Sequence, residues 1–162
     1  MPDANDTMAM GTIYVDADAC PVTEEIYRVA SRVGWVVVLV ANKWMQTPTR
    51  PVVQLNVVDD SPDAADDFIA ERAKAGDVVV TNDIPLASRC LPNGVAVLRP
   101  NGSRFEEQSI GDALATRELL SQLRDLGTIT GGPPPFQKKD RSRFLQRLDE
   151  TIRAIQRSAA KG

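Results

Sequence analysis

The sequence predicts an α/β fold, a three-layer αβα sandwich around a mostly parallel central sheet, and three observations carry that expectation. Strand-like apolar runs alternate with helix-like stretches along nearly the whole chain. The runs 35–40 and 77–81 are almost continuously apolar and rich in valine, as strands covered on both faces are. Glycines at 34 and 76 stand where a helical period ends and a strand begins.

The elements follow in order. Residues 12–15 read as a short buried strand ending at Asp16. A helix is expected from Pro21, with Ile26, Val29, Ala30 and Val33 as its apolar stripe and Gly34 as its stop. Residues 35–40 form the next strand, and 52–58, which alternate more, a third. Ser61-Pro62-Asp63 predicts a helix start, with serine as the cap, running to about Ala75. Strand 77–81 leads through Asn82-Asp83 into a short helix over 85–90, and 95–98 is the last strand. A long helix is expected over 109–126. Residues 127–139 contain Gly131-Gly132-Pro133-Pro134-Pro135, which excludes helix and central strand. Asp140 is expected to cap a final helix that buries Phe144, Leu148, Ile152 and Ile155. The whole reads as one domain over 12–157, with tails at 1–11 and 158–162.

Composition narrows the chemistry. The chain has no histidine, which removes Ser-His-Asp and Cys-His catalysis and almost excludes a Cys/His zinc site. Cys20 and Cys90 lie far apart, without metal-knuckle spacing, and are expected to be reduced. No apolar run approaches a membrane span and residues 1–10 lack a signal-like core, so a cytoplasmic location is expected. The net charge of −3 hides an asymmetry: 138–162 carry eight Lys/Arg against three Asp/Glu. That segment reads either as a solvated helix face or as a cationic flank for a polyanion.

Aspartates gather where strands end, the edge at which open α/β sheets bind ligands. Asp16 directly follows the first strand, with Asp18 two residues on. Asp66 borders the buried stripe of the second helix, formed by Ala65, Phe68 and Ile69, whereas Asp63 and Asp67 fall on its far side. Asp83 follows Val80-Thr81-Asn82. Each has a plainer alternative: a cap at Asp18 and Asp83, and acids favoured by the helix dipole at 63, 66 and 67. Convergent carboxylates repel, and an all-oxygen set suits Mg²⁺ or Mn²⁺. Cys20 beside the acids is expected to be a small buried residue rather than a reactive thiol.

The segments 15–21, 65–67 and 76–87, with Gly131-Gly132-Pro133, Phe136 and Asp140-Arg141, together resemble the YaiI/YqxD family, placed among the PIN-like domains. The likeness spans roughly 12–150. It implies a PIN-like fold and a metal-dependent nuclease, often acting on RNA. On that resemblance Asp16, Asp66 and Asp83 hold the metal, Asp66 standing where many of the wider group have glutamate. Asp18 takes the place of a fourth acid, and Asp67 positions water or a second ion. Thr81, Asn82, Lys138, Lys139, Arg141 and Arg143 are candidates for substrate contact, with Arg141 alternatively paired to an acid. Two other functions remain open from the residues: a haloacid-dehalogenase-like phosphatase using Asp16 and Asp18, and a non-catalytic module that binds RNA or protein.

Overall fold

The computed structural model describes residues 10–61, 63–127 and 135–161. Five strands form one sheet, every pair parallel: β1 (Thr12–Asp16), β2 (Val36–Ala41), β3 (Val53–Val57), β4 (Val78–Val80) and β5 (Ala96–Leu98). Their order is β3-β2-β1-β4-β5. The chain builds outward from β1 to β3, then returns to the other side of β1. The sheet therefore reverses direction between β1 and β4, and a crevice opens beyond the carboxyl ends of those two strands. That reversal positions the site.

Helices cover both faces: α1 (Thr23–Val33), α2 (Ala64–Arg72), α3 (Ile84–Cys90), α4 (Glu107–Asp125) and α5 (Lys138–Lys161). Successive strand residues point to opposite faces, so each valine run feeds two cores. Val37, Leu39, Val78 and Val80 join Ile26 and Val29 of α1 and Phe144, Leu148 and Ile152 of α5. Val38, Val40 and Val79 join Ile69 of α2 and Leu86, Ala87 and Cys90 of α3. The three-layer expectation holds, and the sheet is wholly parallel.

The boundaries carry the corrections. A 3-10 turn, Ala17–Ala19, follows β1, and α1 starts at Thr23 rather than Pro21. Gly34 ends α1 as expected, at φ 79°, with its N–H donating to Ala30. Ser61 does not cap α2; the cap position is Asp63, with no side-chain hydrogen bond. α2 stops at Arg72 because Ala73 turns extended, and the Lys74 N–H is taken by Asp77. Asp140 lies inside α5 and accepts the Gln137 N–H at 2.9 Å, so it satisfies the helix start from the third position. α5 continues to Lys161, through most of the expected tail. The segment 1–9 and Gly131-Gly132-Pro133-Pro134 lie outside the described residues. No described helix is long and apolar enough to cross a membrane.

Candidate functional site

Thr81 organises the carboxyl edge. Its hydroxyl donates to Asp16 Oδ2 at 3.0 Å and accepts the Asp83 N–H at 2.9 Å. At 2% exposure it links two acids from inside while lining the crevice they share. Asp83 Oδ1 accepts the Leu86 N–H at 2.7 Å and caps α3. Asp16 and Asp83 each keep an oxygen with no hydrogen-bond partner among the described residues. Asp66, on the first turn of α2, has none at all among them.

Electrostatics tie these three together. The Asp66 carboxyl is pushed up to about 6, first by burial, then by Asp83 and Asp16. Arg89 offsets only part of this, because its guanidinium is held by Asp67 at 2.7 Å. Asp16 is raised as well, by burial and by Asp83 and Asp18, against the lowering effect of Thr81. Three carboxylates from different elements thus repel across one crevice. Among the described residues, however, no three Asp, Glu or Cys side chains close into a ligand group for a metal ion.

The other sequence candidates are occupied differently. Asp18 does not cap a helix: both its oxygens accept the Asn42 N–H, at 3.0 and 3.1 Å, which fastens the loop after β2. Asp67 pairs with Arg89 at 2.7 Å. The Cys20 thiol lines the crevice but is pushed up to about 11 by burial and the nearby acids, so it stays protonated. Both cysteines are free.

Three adjoining clefts spread from this point. One of about 410 Å³ is lined by Asp16, Asp18, Asp83, Asn82 and Arg117. A second, of about 690 Å³, runs from Asn82 past Arg99 to Lys139 and Arg143. A third, of about 500 Å³, joins Asn82 and Arg99 to the flank of α4. Asn82 belongs to all three. Arg141 lines none of them; it donates to the Pro21 carbonyl and to Glu25 at 3.2 Å, and lies over Phe136. Lys138 is exposed and lines none.

The family model described as "Uncharacterized BCR, YaiI/YqxD family" matches residues 14–154. The chain belongs to the YaiI/YqxD family. It is 55% identical to a UPF0178 protein of Paramagnetospirillum magneticum over 91% of this chain and 98% of the relative. It is 50% identical to a UPF0178 protein of Caulobacter vibrioides, over 94% and 99%. These names state no activity. No solved structure matches the chain.

Two residues of this YaiI/YqxD chain escaped the sequence reading. Arg99 directly follows β5, as Asp16 closes β1, and strand-end position was a usable signal for it. Arg117 sits mid-helix, and no local signal marks it.

Proposed function

We propose that the chain is a divalent-metal-dependent phosphodiesterase acting on RNA. One observation carries the reading: Asp16 and Asp83, linked through Thr81, line one crevice at the sheet reversal, and burial together with the charges of Asp83 and Asp16 pushes Asp66 up to about 6. A bound cation relieves that repulsion. The donor set is oxygen only, which suits Mg²⁺ or Mn²⁺ held by a few carboxylates and completed by water. Asp16, Asp66 and Asp83 would hold it, and such an ion activates water and stabilises a phosphodiester's leaving oxygen. Thr81 fixes the spacing of Asp16 and Asp83. The clefts beyond Asn82 give a polyanion a path lined by Arg99, Lys139 and Arg143.

The phosphatase alternative is weaker, since it needs Asp18 free for proton transfer and the Asn42 N–H engages both its oxygens. The experiment is hydrolysis of an RNA panel with Mn²⁺ by the native protein and by Asp16→Asn and Asp83→Asn, beside a calorimetric Mn²⁺ titration. Native protein should cleave and both variants should lose cleavage. Equal hydrolysis by all three removes the assignment. Metal and RNA binding without turnover moves the chain to a non-catalytic module.

A further inference from the structure

We propose that Arg99, Arg117 and Arg124 form a phosphate-binding subsite, taking the RNA backbone one step from the acids. The inference deepens the phosphodiesterase reading and rests on it for the identity of the polyanion.

The three guanidiniums line one cleft of about 500 Å³ that contains a single acid, Asp112. None of the three makes an ion pair among the described residues. Arg32, Arg89, Arg141 and Arg153 reach carboxylates, whereas Arg28, Arg50, Arg104 and Arg157 are also without an ion pair among the described residues; what sets these three apart is that they share one concavity. Grouping three unpaired cations in one concavity costs stability through repulsion, unless an anion sits among them.

Backbone geometry builds the cleft. Asp112, Thr116, Leu120 and Arg124 recur every four residues, so one stripe of α4 faces it, with Arg117 beside that stripe. Arg117 and Arg124 stand two turns apart, about 10.5 Å along the axis. Arg99 enters from the opposite wall. Its guanidinium lies 4.1 Å from the Phe105 ring centroid, which orients the fork, and its only polar side-chain partner among the described residues is Ser103 Oγ at 3.5 Å. Burial lowers its pKa, as expected of a partly desolvated cation without a counter-charge. The turn that carries Arg99 is itself fixed: the Gly102 N–H donates to Arg99, and Gly102 lies against Arg143 and Phe144 of α5. A Cβ at Gly102 would come within 2.8 Å of the Arg143 backbone, so the turn docks there only as glycine.

The cleft also communicates with the acids. Arg117 and Asn82 line both it and the acidic crevice. A strand whose scissile phosphate lies by Asp16 and Asp83 would place a neighbouring phosphate against Arg117 and Arg99, and a further one toward Arg124. Forked guanidiniums match phosphate oxygens in pairs.

The test is fluorescence anisotropy of a 5′-fluorescein single-stranded RNA dodecamer in EDTA, where binding is read without hydrolysis. Arg117→Gln and Arg124→Gln should each weaken binding about tenfold. Each should also lower the salt-dependence slope by about 0.7. Arg124→Lys should recover part of the loss, because it keeps the charge. Both positions lie on the outer surface of α4, so these variants fold; Arg99→Lys tests the third position without removing its charge. Arg104→Gln, at the opposite sheet edge beside Gly76 and Gly94, should bind as the native protein does. Unchanged affinity in both glutamine variants overturns the subsite while leaving hydrolysis to stand on its own assay. Arginine-dependent binding without any Mn²⁺-dependent cleavage leaves the subsite and removes the phosphodiesterase. Native protein that binds no RNA, for instance because the cleft takes an acidic protein segment, overturns both.

Discussion

The two long helices of the C-terminal half, α5 and α4, invert what their composition suggests. α5 is strongly basic, yet three of its five arginines are committed: Arg141 to Glu25, Arg147 to Glu150 and Arg153 to Asp149. Its other face buries Phe144, Leu148 and Ile152 completely. α4 carries four acids against two arginines, buries no residue fully, and leaves both arginines unpaired beside the crevice. α5 packs into the core, and α4 leaves its cations beside the crevice. Local net charge says how many cations a segment has, not how many remain available to a ligand.

The acids show the same division between the two edges of the sheet. Asp77, at the amino edge and 4% exposed, accepts backbone N–H groups from Thr12 and Lys74, both at 3.0 Å. Its charge is met by donors that close the start of β1 and the turn before β4. Asp66, at the carboxyl edge, meets carboxylates instead. Asp77 is answered by the backbone, and Asp66 is the acid whose charge the proposed cation would answer.

The comparison breaks most readily at α5. Phe144→Ala should cost about 3–5 kcal/mol in urea unfolding, from lost burial and the cavity left behind. A loss below 1 kcal/mol there would mean that α5 is not the structural helix. Asp77→Ala comes next, at about 1–3 kcal/mol, since it strands two backbone donors at a buried edge.

The third expectation has the opposite sign. Because the folded-state pKa of Asp66 is raised, the protonated form is favoured by folding. Stability from this group is complete below the unfolded value near 4, and is lost as pH rises through about 6. Asp66→Asn should therefore stabilise the metal-free protein at pH 7.5. Solvent screening of this partly exposed group reduces the gain to about 1 kcal/mol. It should flatten the fall in Tm between pH 5 and 7.5 measured in EDTA. A destabilised Asp66→Asn at pH 7.5 would show that the acids do not repel. The smallest effect belongs to α4: Leu119, 55% exposed, should tolerate alanine within about 0.5 kcal/mol by the same unfolding assay.

Much of the fold was legible because its signals are local. Continuous valine runs, the apolar stripe of α1 and the stop at Gly34 lie within a few residues of what they determine. The helix starts at Ser61 and Asp140 were misplaced by two or three residues, because capping acids act from either side of a helix boundary. At the site, strand-end position picked out Asp16 and Asp83. It did not show that Thr81 bonds Asp16, which depends on β1 and β4 lying side by side although 65 residues separate the two.

The amino-acid sequence by itself determined the α/β class, the family, and the aspartates that end its strands, because periodicity and motif spacing are properties of contiguous chain. Only the tertiary structure decided which charges are answered. Glu25 meets Arg141 across 116 residues, Asp67 meets Arg89, and nothing among the described residues meets Arg117. Ion pairing requires apposition within a few ångströms, and the order in which the strands assemble sets that distance.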